Sequence, residues 1–375
     1  MTLPPLTTFY SAAPSTIAFS PEAFAYNVAV MRSVAERPVM AVVKADGFGL
    51  GAVRIAKAAI SGGAEEIGVA TCAEAIELRQ AGITVPVLAW LLHPGAPIEP
   101  ALRAGIRLSI ASVSTFEEVA AIAQQLGVRA TIEVEVETGM NRSGCVESTW
   151  NELFAAIAAS RSVRLLGVWT HLAGSRPEDF DPALSRLSDA VSRARGFSLT
   201  PRQHAASSVP ATVDPRTRLD IVRLGASLYG IEPDASLHLD LRTVARWHTR
   251  VSQLRMVGVT DHISYGRHAL PAASKLALIP VGYADGLPRR LSPAGGPSLR
   301  VCIRGERFPL VGTVSMDQTI INVGQSDVAV GDEVTLLGDP RHGEPDLQEW
   351  ATLLGSIPQE VLTGVGRRVD RVDHT

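Results

Sequence analysis

Apolar and polar positions alternate between two periods along roughly the first 240 residues. Short apolar runs rich in β-branched residues, typical of buried strands, are followed by longer segments with helical spacing. In the first such helix Phe24, Val28 and Met31 share one face, and Ser20 is a typical N-cap residue. The strand pattern occurs in eight runs: 38–44, 67–71, 86–91, 108–112, 130–137, 165–171, 203–207 and 220–225.

Eight units of a strand followed by a helix are typical of a closed parallel barrel rather than an open sheet. We therefore predict an α/β fold whose N-terminal domain, residues 11–238, is a (β/α)8 barrel of the TIM type. Beyond about residue 240, short β-prone runs are punctuated by Gly and Pro, and a helical period returns only near 347–354. We predict a C-terminal, mainly β domain over 239–375, with residues 1–10 as a segment that packs with it.

Composition points to a small-molecule partner. A formal charge of −3 and 19% charged residues provide no basic stripe for nucleic acid and no polybasic patch for a membrane. Cys72, Cys145 and Cys302 are scattered and lack metal-ligand spacing, so we predict no metal site and no disulfide, and interpret them as buried apolar groups. No leader pattern or long apolar run is present, which predicts a cytoplasmic protein.

Candidate chemistry lies at the ends of the predicted strands, where barrel enzymes place their active sites. Lys44 ends the first strand, and a lysine desolvated there suits Schiff-base formation, although the residue alone favours an ordinary surface lysine. Gly225 and Ala226 follow the eighth strand with backbone amides, and Ser207 and Ser208 follow the seventh with hydroxyls. Together they predict a phosphate cradle opposite the lysine, which suits pyridoxal phosphate (PLP).

Seven motifs resemble those of the alanine racemase family, in that family's order: AVVKADGFGLGA, VETGMNRSG, THLAG, DIVRLGASLYG, ISYGRH, PVGYADG and VSMDQ. They span nearly the whole chain. The resemblance implies a barrel followed by a β domain, a homodimer with shared active sites, bound PLP, and interconversion of L- and D-alanine.

The resemblance also assigns catalytic roles. Lys44 would bind PLP covalently and serve as base on one face, and Tyr265 of the other subunit would serve on the opposite face. His171 would contact Tyr265 and Arg223, and the Arg223 cation would face the pyridine nitrogen, disfavouring its protonation and hence transamination. From sequence alone, a structural histidine and an arginine paired with Asp220 remain alternatives for His171 and Arg223.

Four further residues would bind substrate if the resemblance holds. Arg142 would contact the phenolic oxygen of PLP and the substrate carboxylate, as a forked donor does well. Met316 and Asp317 would reach the partner subunit's site, and Tyr283 would line the entrance. Core packing for Met316 and a turn role for Asp317 remain alternatives.

The fifth strand departs from the family pattern. Many alanine racemases have a lysine carbamate where this chain has Glu135, and Glu133 and Glu137 share its face of the strand. A solvated charged face is disfavoured, because a barrel strand is covered on both sides. We predict that Glu135 supplies the negative charge and orients Arg142 directly.

Two more departures concern the phosphate. Phe48 and Asp373 occupy positions where the family usually has tyrosines near the phosphate. Each missing hydroxyl would remove a hydrogen bond to an anion, worth roughly 1.5–3 kcal/mol, less if water substitutes. Asp373 would repel the phosphate, so we predict that it points away or that the tail is rearranged.

Three other functions remain open. A racemase of serine or another amino acid would share the fold. A barrel PLP decarboxylase would usually set an acidic residue against the pyridine nitrogen, and Arg223 argues against it. A PLP-binding homologue of low activity is suggested by Phe48, Glu135 and Asp373, whereas retention of Lys44 and Tyr265 argues against it.

Overall fold

The computed structural model describes residues 13–234, 236–265, 268–291 and 298–373, so the prediction for residues 1–10 lies outside the described residues. The chain forms two compact units. The first is Pro21–Arg242, and the second combines the described residues up to Ser20 with Thr243 onward. These bounds differ from the predicted 11–238 and 239–375, because strand β1 (Ser15–Phe19) pairs with strands of the second unit.

The first unit is a nearly closed barrel of eight parallel strands within the described residues, which confirms the predicted fold class. Each strand overlaps a predicted run: β2 (Val39–Val42), β3 (Glu66–Val69), β4 (Val87–Ala89), β5 (Arg107–Ile110), β6 (Ala130–Glu135), β7 (Val163–Trp169), β8 (Arg202–His204) and β9 (Val222–Leu224). The sheet order is β8-β7-β6-β5-β4-β3-β2-β9. Two backbone hydrogen bonds bring its ends together: Asp220 donates to the Gln203 carbonyl (3.0 Å) and Arg223 to the Ala206 carbonyl (2.9 Å).

Helices connect the barrel strands. They are α1 (Pro21–Ala35), α2 (Lys44–Phe48), α3 (Ala52–Ser61), α4 (Cys72–Gln80), α5 (Ile98–Arg103), α6 (Val113–Leu126), α7 (Trp150–Ala159), α8 (Pro177–Gly196) and α9 (Ser208–Val213), with 3-10 turns at Glu147–Thr149, Pro215–Thr217 and Ala226–Tyr229. Phe24, Val28 and Met31 of α1 are fully buried, which confirms the face predicted from their spacing. Cys72, Cys145 and Cys302 are buried free thiols, as predicted.

The second unit is mainly β, as predicted. Its further strands are β10 (Ala245–Arg250), β11 (Gln253–Val257), β12 (Ser274–Ile279), β13 (Arg300–Ile303), β14 (Glu306–Val311), β15 (Thr319–Gly324), β16 (Glu333–Leu337) and β17 (Asp370–Asp373). Its helices are α10 (Leu347–Leu354), where the helical period returns, and α11 (Pro358–Thr363), with 3-10 turns at Tyr283–Asp285, Arg289–Leu291 and Pro340–His342. The strand order is β11-β12-β15-β14-β13-β16-β10-β1-β17, antiparallel except for the parallel β1–β17 pair.

Over the described part of the chain, no helix combines the length and apolar character that crossing a bilayer requires.

Strand β1 should contribute strongly to the stability of the second unit. Ile17 is fully buried and lies in register between Trp247 of β10 and Arg371 of β17. We expect Ile17→Ala to lower the free energy of unfolding by about 2–5 kcal/mol, because it leaves a cavity between two strands. Urea denaturation measures this, with Val372→Ala, at a 38% exposed site of β17, as the matched control. Equal, small losses in both variants would contradict the assignment of β1 to this core.

Candidate active site

Lys44 stands where strand β2 gives way to a left-handed turn. Ala45, Asp46 and Gly47 have φ values of 55°, 52° and 61°, and Phe48 has 55°. Left-handed backbone costs roughly 1–2 kcal/mol for each non-glycine residue, so the surrounding structure must hold this turn. Gly47 is needed for space as well, since a Cβ there would lie 2.7 Å from a side-chain carbon of Ile55.

Two carboxylates hold the turn that follows Lys44. Glu74 accepts a hydrogen bond from the Ala45 amide at 2.6 Å, and with Thr71 it forms the capping box of α4. Asp46 accepts from the Ala52 amide at 2.8 Å, at the start of α3. Glu74 is a site residue that the sequence analysis missed; its only signal was the Thr-x-x-Glu capping pattern.

The amine of Lys44 is electrostatically perturbed. Burial lowers its pKa from 10.5, the Arg142 cation lowers it further, and the Glu74 carboxylate opposes both. The side chain keeps some exposed surface, and Nζ lies 5.8 Å from the ring centroid of Trp90. A lowered pKa increases the neutral fraction of the amine, which is the form that attacks a carbonyl or accepts a proton.

Arg223 of β9 is buried at the same rim of the barrel. Its Nη2 donates to the carbonyls of Thr170 (2.8 Å) and Ala205 (3.1 Å), and its Nη1 donates to His204 Nδ1 (2.8 Å). Burial lowers its pKa to about 10, with the carboxylates of Glu135 and Glu133 opposing, so it is a cation at neutral pH.

The alternative of an Arg223–Asp220 ion pair is wrong for this structure. Within the described ranges no such pair occurs, and Asp220 instead accepts from the Gln203 amide at 2.6 Å. Arg223 points into the barrel, whereas Asp220 is used to hold the start of β8.

His171 follows β7 and lies beside Arg223, with its Nδ1 3.4 Å from Nη2. Burial lowers its pKa to about 3, and the cations of Arg223, Arg142 and Lys44 act in the same direction. His171 is therefore neutral at physiological pH, and the nitrogen facing Arg223 acts as an acceptor. The predicted contact of His171 with Tyr265 of the other subunit stays a prediction.

The predicted direct pairing of Glu135 with Arg142 does not occur in the described residues. Glu135 accepts from Ser143 Oγ at 2.6 Å, and no ion pair within 4 Å joins it to Arg142, whose side chain is exposed. Burial raises the pKa of Glu135, whereas the Ser143 hydrogen bond and the Arg223 and Arg142 cations lower it. The loop carrying Arg142 is held instead by Glu137, which accepts from the Asn141 amide at 2.9 Å.

The four predicted cradle residues meet at the ends of β8 and β9. Ser207 precedes α9, Ser208 begins it, and Ala226 begins the 3-10 turn after Gly225. The first amides of a helix have no partner within it, so Ser208 and Ala226 present N–H groups. One correction concerns the hydroxyl of Ser208, which accepts from the Ser227 amide (3.2 Å) and hydroxyl (3.0 Å) and so joins the two loops.

Phe48 packs behind this cradle. It is buried and stacks on Tyr229, with ring centroids 4.1 Å apart and an interplanar angle of 4°. A Cβ atom added at Gly225 would lie 3.5 Å from Cζ of the Phe48 ring. In this chain an aromatic stack therefore supports the cradle where the family usually has a hydroxyl.

The sequence analysis also missed a buried charged cluster formed by Glu66, Arg107, Glu133, Arg202 and His204. Glu133 lies 2.5 Å from both Arg202 Nη2 and His204 Nε2, and Arg202 lies 2.7 Å from Glu66. Alternation in IEVEVE placed Glu133 on the same face of the strand as Glu135, but nothing in the sequence identified its partners. Neither in this cluster nor in the other described residues is a group of three or more acidic, histidine or cysteine side chains suited to hold a metal ion.

The second unit presents exposed side chains from the predicted site: Asp317, Tyr265 (69% exposed), Met316 (52%) and Tyr283 (44%). Because Met316 is exposed, the alternative prediction that it packs in the core is wrong. The loop of Tyr265 is held by Thr313, whose Oγ1 donates to the Tyr265 carbonyl at 3.0 Å.

The GYADG and VSMDQ loops are tied together within this unit. The Tyr283 and Ala284 amides donate to the Ser315 and Met316 carbonyls, both at 3.0 Å, and a Cβ at Gly282 would lie 2.3 Å from those carbonyls. Such an approach requires glycine.

Arg368 fixes the position of Asp317. It bonds the exposed Asp317 at 2.7 Å and the buried Asp285 at 3.0 Å. Asp317 thus has an ion-pair role rather than only a turn role. Asp373 is exposed at the end of β17, paired in register with Phe19, and its relation to a phosphate stays a prediction.

Loss of the Glu74 charge should lower the pKa of Lys44 further, because the carboxylate favours the ammonium form. We expect the pH midpoint for acylation of Lys44, followed by mass spectrometry on the protein without any bound ligand, to fall in Glu74→Gln. Glu77→Gln, an exposed change on the same helix, is the matched control. An unchanged or higher midpoint in Glu74→Gln would contradict this electrostatic role.

Comparison with known proteins agrees with this arrangement. The family model of the alanine racemase N-terminal domain matches residues 19–233, and that of the C-terminal domain matches residues 244–373. The alanine racemase of Salinispora tropica is 39% identical over 354 residues, which cover 92% of this chain and 94% of that protein.

Solved structures agree as well. The alanine racemase of Streptomyces lavendulae superposes with a TM-score of 0.93 at 33% identity, covering 98% of each chain. The alanine racemase of Bartonella henselae, solved with covalently bound pyridoxal phosphate, has a TM-score of 0.85 at 27% identity, covering 96% of this chain and all of that one (100%). On the family models, the sequence identity and the shared fold, the chain belongs to the alanine racemase family, a family of isomerases.

Proposed function

We propose that this protein interconverts L- and D-alanine with PLP bound at the rim of its barrel. The observation that carries the proposal is the placement of Lys44, at the end of β2, and the buried Arg223, on the neighbouring strand β9, at one rim of the barrel. Names of relatives support alanine as the substrate.

The residues at the rim fit PLP. Lys44 offers the amine for covalent attachment, and Ser208 and Ala226, at the first positions of their helices, offer backbone amides for the phosphate. Gly225 precedes Ala226 in the same loop, and Arg223 can donate toward the pyridine nitrogen. When bound, PLP withdraws electrons from the Cα of an attached amino acid and makes its proton acidic.

Racemisation requires two proton-transfer groups on opposite sides of Cα, because a single base would more often return the proton to the side from which it came. Lys44 takes and returns the proton on one side. The Tyr265 hydroxyl of a second subunit serves on the other, and its 69% exposure in the second unit supports such a role. This assignment depends on a homodimer, which stays a prediction. The cytoplasmic location also stays a prediction.

Three arginine and histidine side chains tune these transfers. Arg223 remains charged, which disfavours a proton on the ring nitrogen and so suppresses transamination. Neutral His171 can accept a hydrogen bond from a phenol or from Arg223. Arg142 binds the substrate carboxylate.

Glu135 and the second unit complete the substrate site. Glu135 acts on Arg142 and Arg223 through its field, since it makes no direct pair with Arg142. Met316, Asp317 and Tyr283 of the partner shape the carboxylate end and the entrance.

A second candidate is a PLP-binding homologue of low activity, favoured by the replacement of a phosphate-directed hydroxyl with the Phe48–Tyr229 stack. A racemase of serine or another amino acid is distinguished only by its substrate range.

Lys44→Ala should abolish both PLP attachment and racemisation, because the amine is needed for each. The measurement is an isotope-exchange screen of the PLP-loaded protein in D2O over alanine, serine and larger amino acids. Lys57→Ala, a change of an exposed lysine on α3, should leave both unchanged. If the wild-type protein attaches PLP through Lys44 yet exchanges no Cα proton of any amino acid, the low-activity homologue is the correct function.

Tyr265→Phe should impair proton transfer on one face only. The rate of isotope exchange should therefore fall unequally in the L-to-D and D-to-L directions. We expect at least about a 100-fold loss in the affected step, within the range for general acid–base groups. Tyr26→Phe, which removes a phenol from α1, is the control. Mild and equal losses in both directions would contradict the two-base assignment.

A further inference from the structure

A line of buried polar groups leads away from Arg223 into the barrel. His204, at the end of β8, lies between Arg223 and Glu133, with Nδ1 2.8 Å from Arg223 Nη1 and Nε2 2.5 Å from Glu133 Oε2. Glu133 and His204 are both fully buried. The His204 ring lies parallel to that of Trp169, with centroids 5.7 Å apart.

The two contacts determine the tautomer of His204. An ionised carboxylate only accepts and a guanidinium only donates, so Nε2 carries the proton and Nδ1 receives Arg223. Burial lowers the pKa of His204, the Arg223 and Arg202 cations add to this, and Glu133 opposes it. The imidazole is therefore neutral, which agrees with the hydrogen bonds.

Glu133 stays ionised because it also forms an ion pair with Arg202. In register across β7, Glu133 faces Gly167 and Gly167 faces Arg202. A Cβ at Gly167 would lie 3.0 Å from Glu133 Oε2, so the glycine allows the two side chains to meet. Burial would raise the pKa of Glu133, but the hydrogen bonds from His204 and Arg202 and the Arg202 cation hold it well below its usual range.

The rest of the cluster balances these charges. Arg202 also binds Glu66 at 2.7 Å, and Arg107 lies 2.9 Å from Glu66 and 3.9 Å from Glu133. The strands carrying Glu66 and Arg202 are not neighbours in the sheet, so these side chains meet inside the barrel. Glu66→Gln is therefore a matched control, because it removes a charge from the same cluster and Glu66 does not contact His204.

Arg223 is held in one orientation by these contacts. Its Nη2 hydrogens go to two carbonyls and one Nη1 hydrogen goes to His204. Over the described residues, Nε–H and the second Nη1 hydrogen have no hydrogen-bond partner in the protein. These are the donors that remain for the ring nitrogen of PLP.

We propose that Glu133 is a positioning residue that sets the tautomer of His204 and thereby holds Arg223 toward the ring nitrogen of PLP. The part that concerns PLP rests on the proposed function. Glu133 touches neither cofactor nor substrate, and its effect passes through His204.

Glu133→Gln should reverse the tautomer. Arg202 can only donate, so the single amide oxygen must face Arg202 and the amide NH2 must face His204 Nε2. The ring proton then moves to Nδ1, where it opposes the Arg223 N–H groups. Glu66→Gln removes a charge from the same arginines and should leave His204 unchanged.

The first measurement is the 15N NMR spectrum of histidine-labelled full-length protein, with His204 assigned by His204→Asn. We expect the Nε2–H tautomer in the wild type and in Glu66→Gln, and the Nδ1–H tautomer in Glu133→Gln. A wild-type Nδ1–H tautomer or an imidazolium at neutral pH overturns the proposal even if Glu133→Gln does not fold. This readout needs no PLP, so it stands whether or not the proposed function does.

The second measurement uses the PLP-loaded protein and counts transaminations per racemisation of alanine, from pyruvate formed and from optical rotation. We expect the ratio to rise roughly tenfold or more in Glu133→Gln, as for loss of a hydrogen bond to a charged group, and to stay unchanged in Glu66→Gln. In a His204→Asn background, adding Glu133→Gln should change nothing further.

Equal effects of the two glutamine variants would assign Glu133 to the stability of the charged cluster and overturn the positioning role. If the wild type binds no PLP or racemises nothing, the proposed function fails, and the tautomer result then decides the Glu133–His204 relation by itself.

Discussion

The buried cation of Arg223 is the constraint on which the electrostatics of the candidate site depend. A charge inside a barrel is tolerable only when its N–H groups are satisfied, and two carbonyls and His204 supply that here. Its field in turn lowers the pKa of His171 and opposes the burial-driven rise in the pKa of Glu135. One arginine thus adds to the effect of burial at His171 and partly offsets it at Glu135.

Barrel geometry makes this arrangement possible. Because the strands are parallel and nearly closed, Lys44, His171, Ser207 and Gly225 reach one rim although they are far apart in sequence. Below the rim, charged side chains occupy space that a barrel usually fills with branched apolar ones. Gly167 provides the gap that lets Glu133 and Arg202 pair across β7.

Strain is concentrated beside Lys44. The left-handed turn from Ala45 to Phe48 is held by Glu74 on one side and by the stack on Tyr229 on the other. A turn held this way fixes the backbone from which the Lys44 side chain extends. Glu74 therefore links backbone geometry to the pKa of Lys44, because the same carboxylate acts on both.

Sequence periodicity alone determined much of this protein. Alternation and helical spacing located all eight barrel strands and the buried face of α1, because a strand or helix records in its own residues which side is buried. The ends of the predicted strands then indicated Lys44 and the cradle, and the motifs indicated Arg223. Only the tertiary structure decided which buried polar groups meet: Glu133 with His204, 71 residues apart, Glu74 with Ala45, 29 apart, and Glu135 with Ser143 rather than Arg142. Local patterns specify burial, whereas the partner of a buried charge depends on strand register and on the space left by residues such as Gly167.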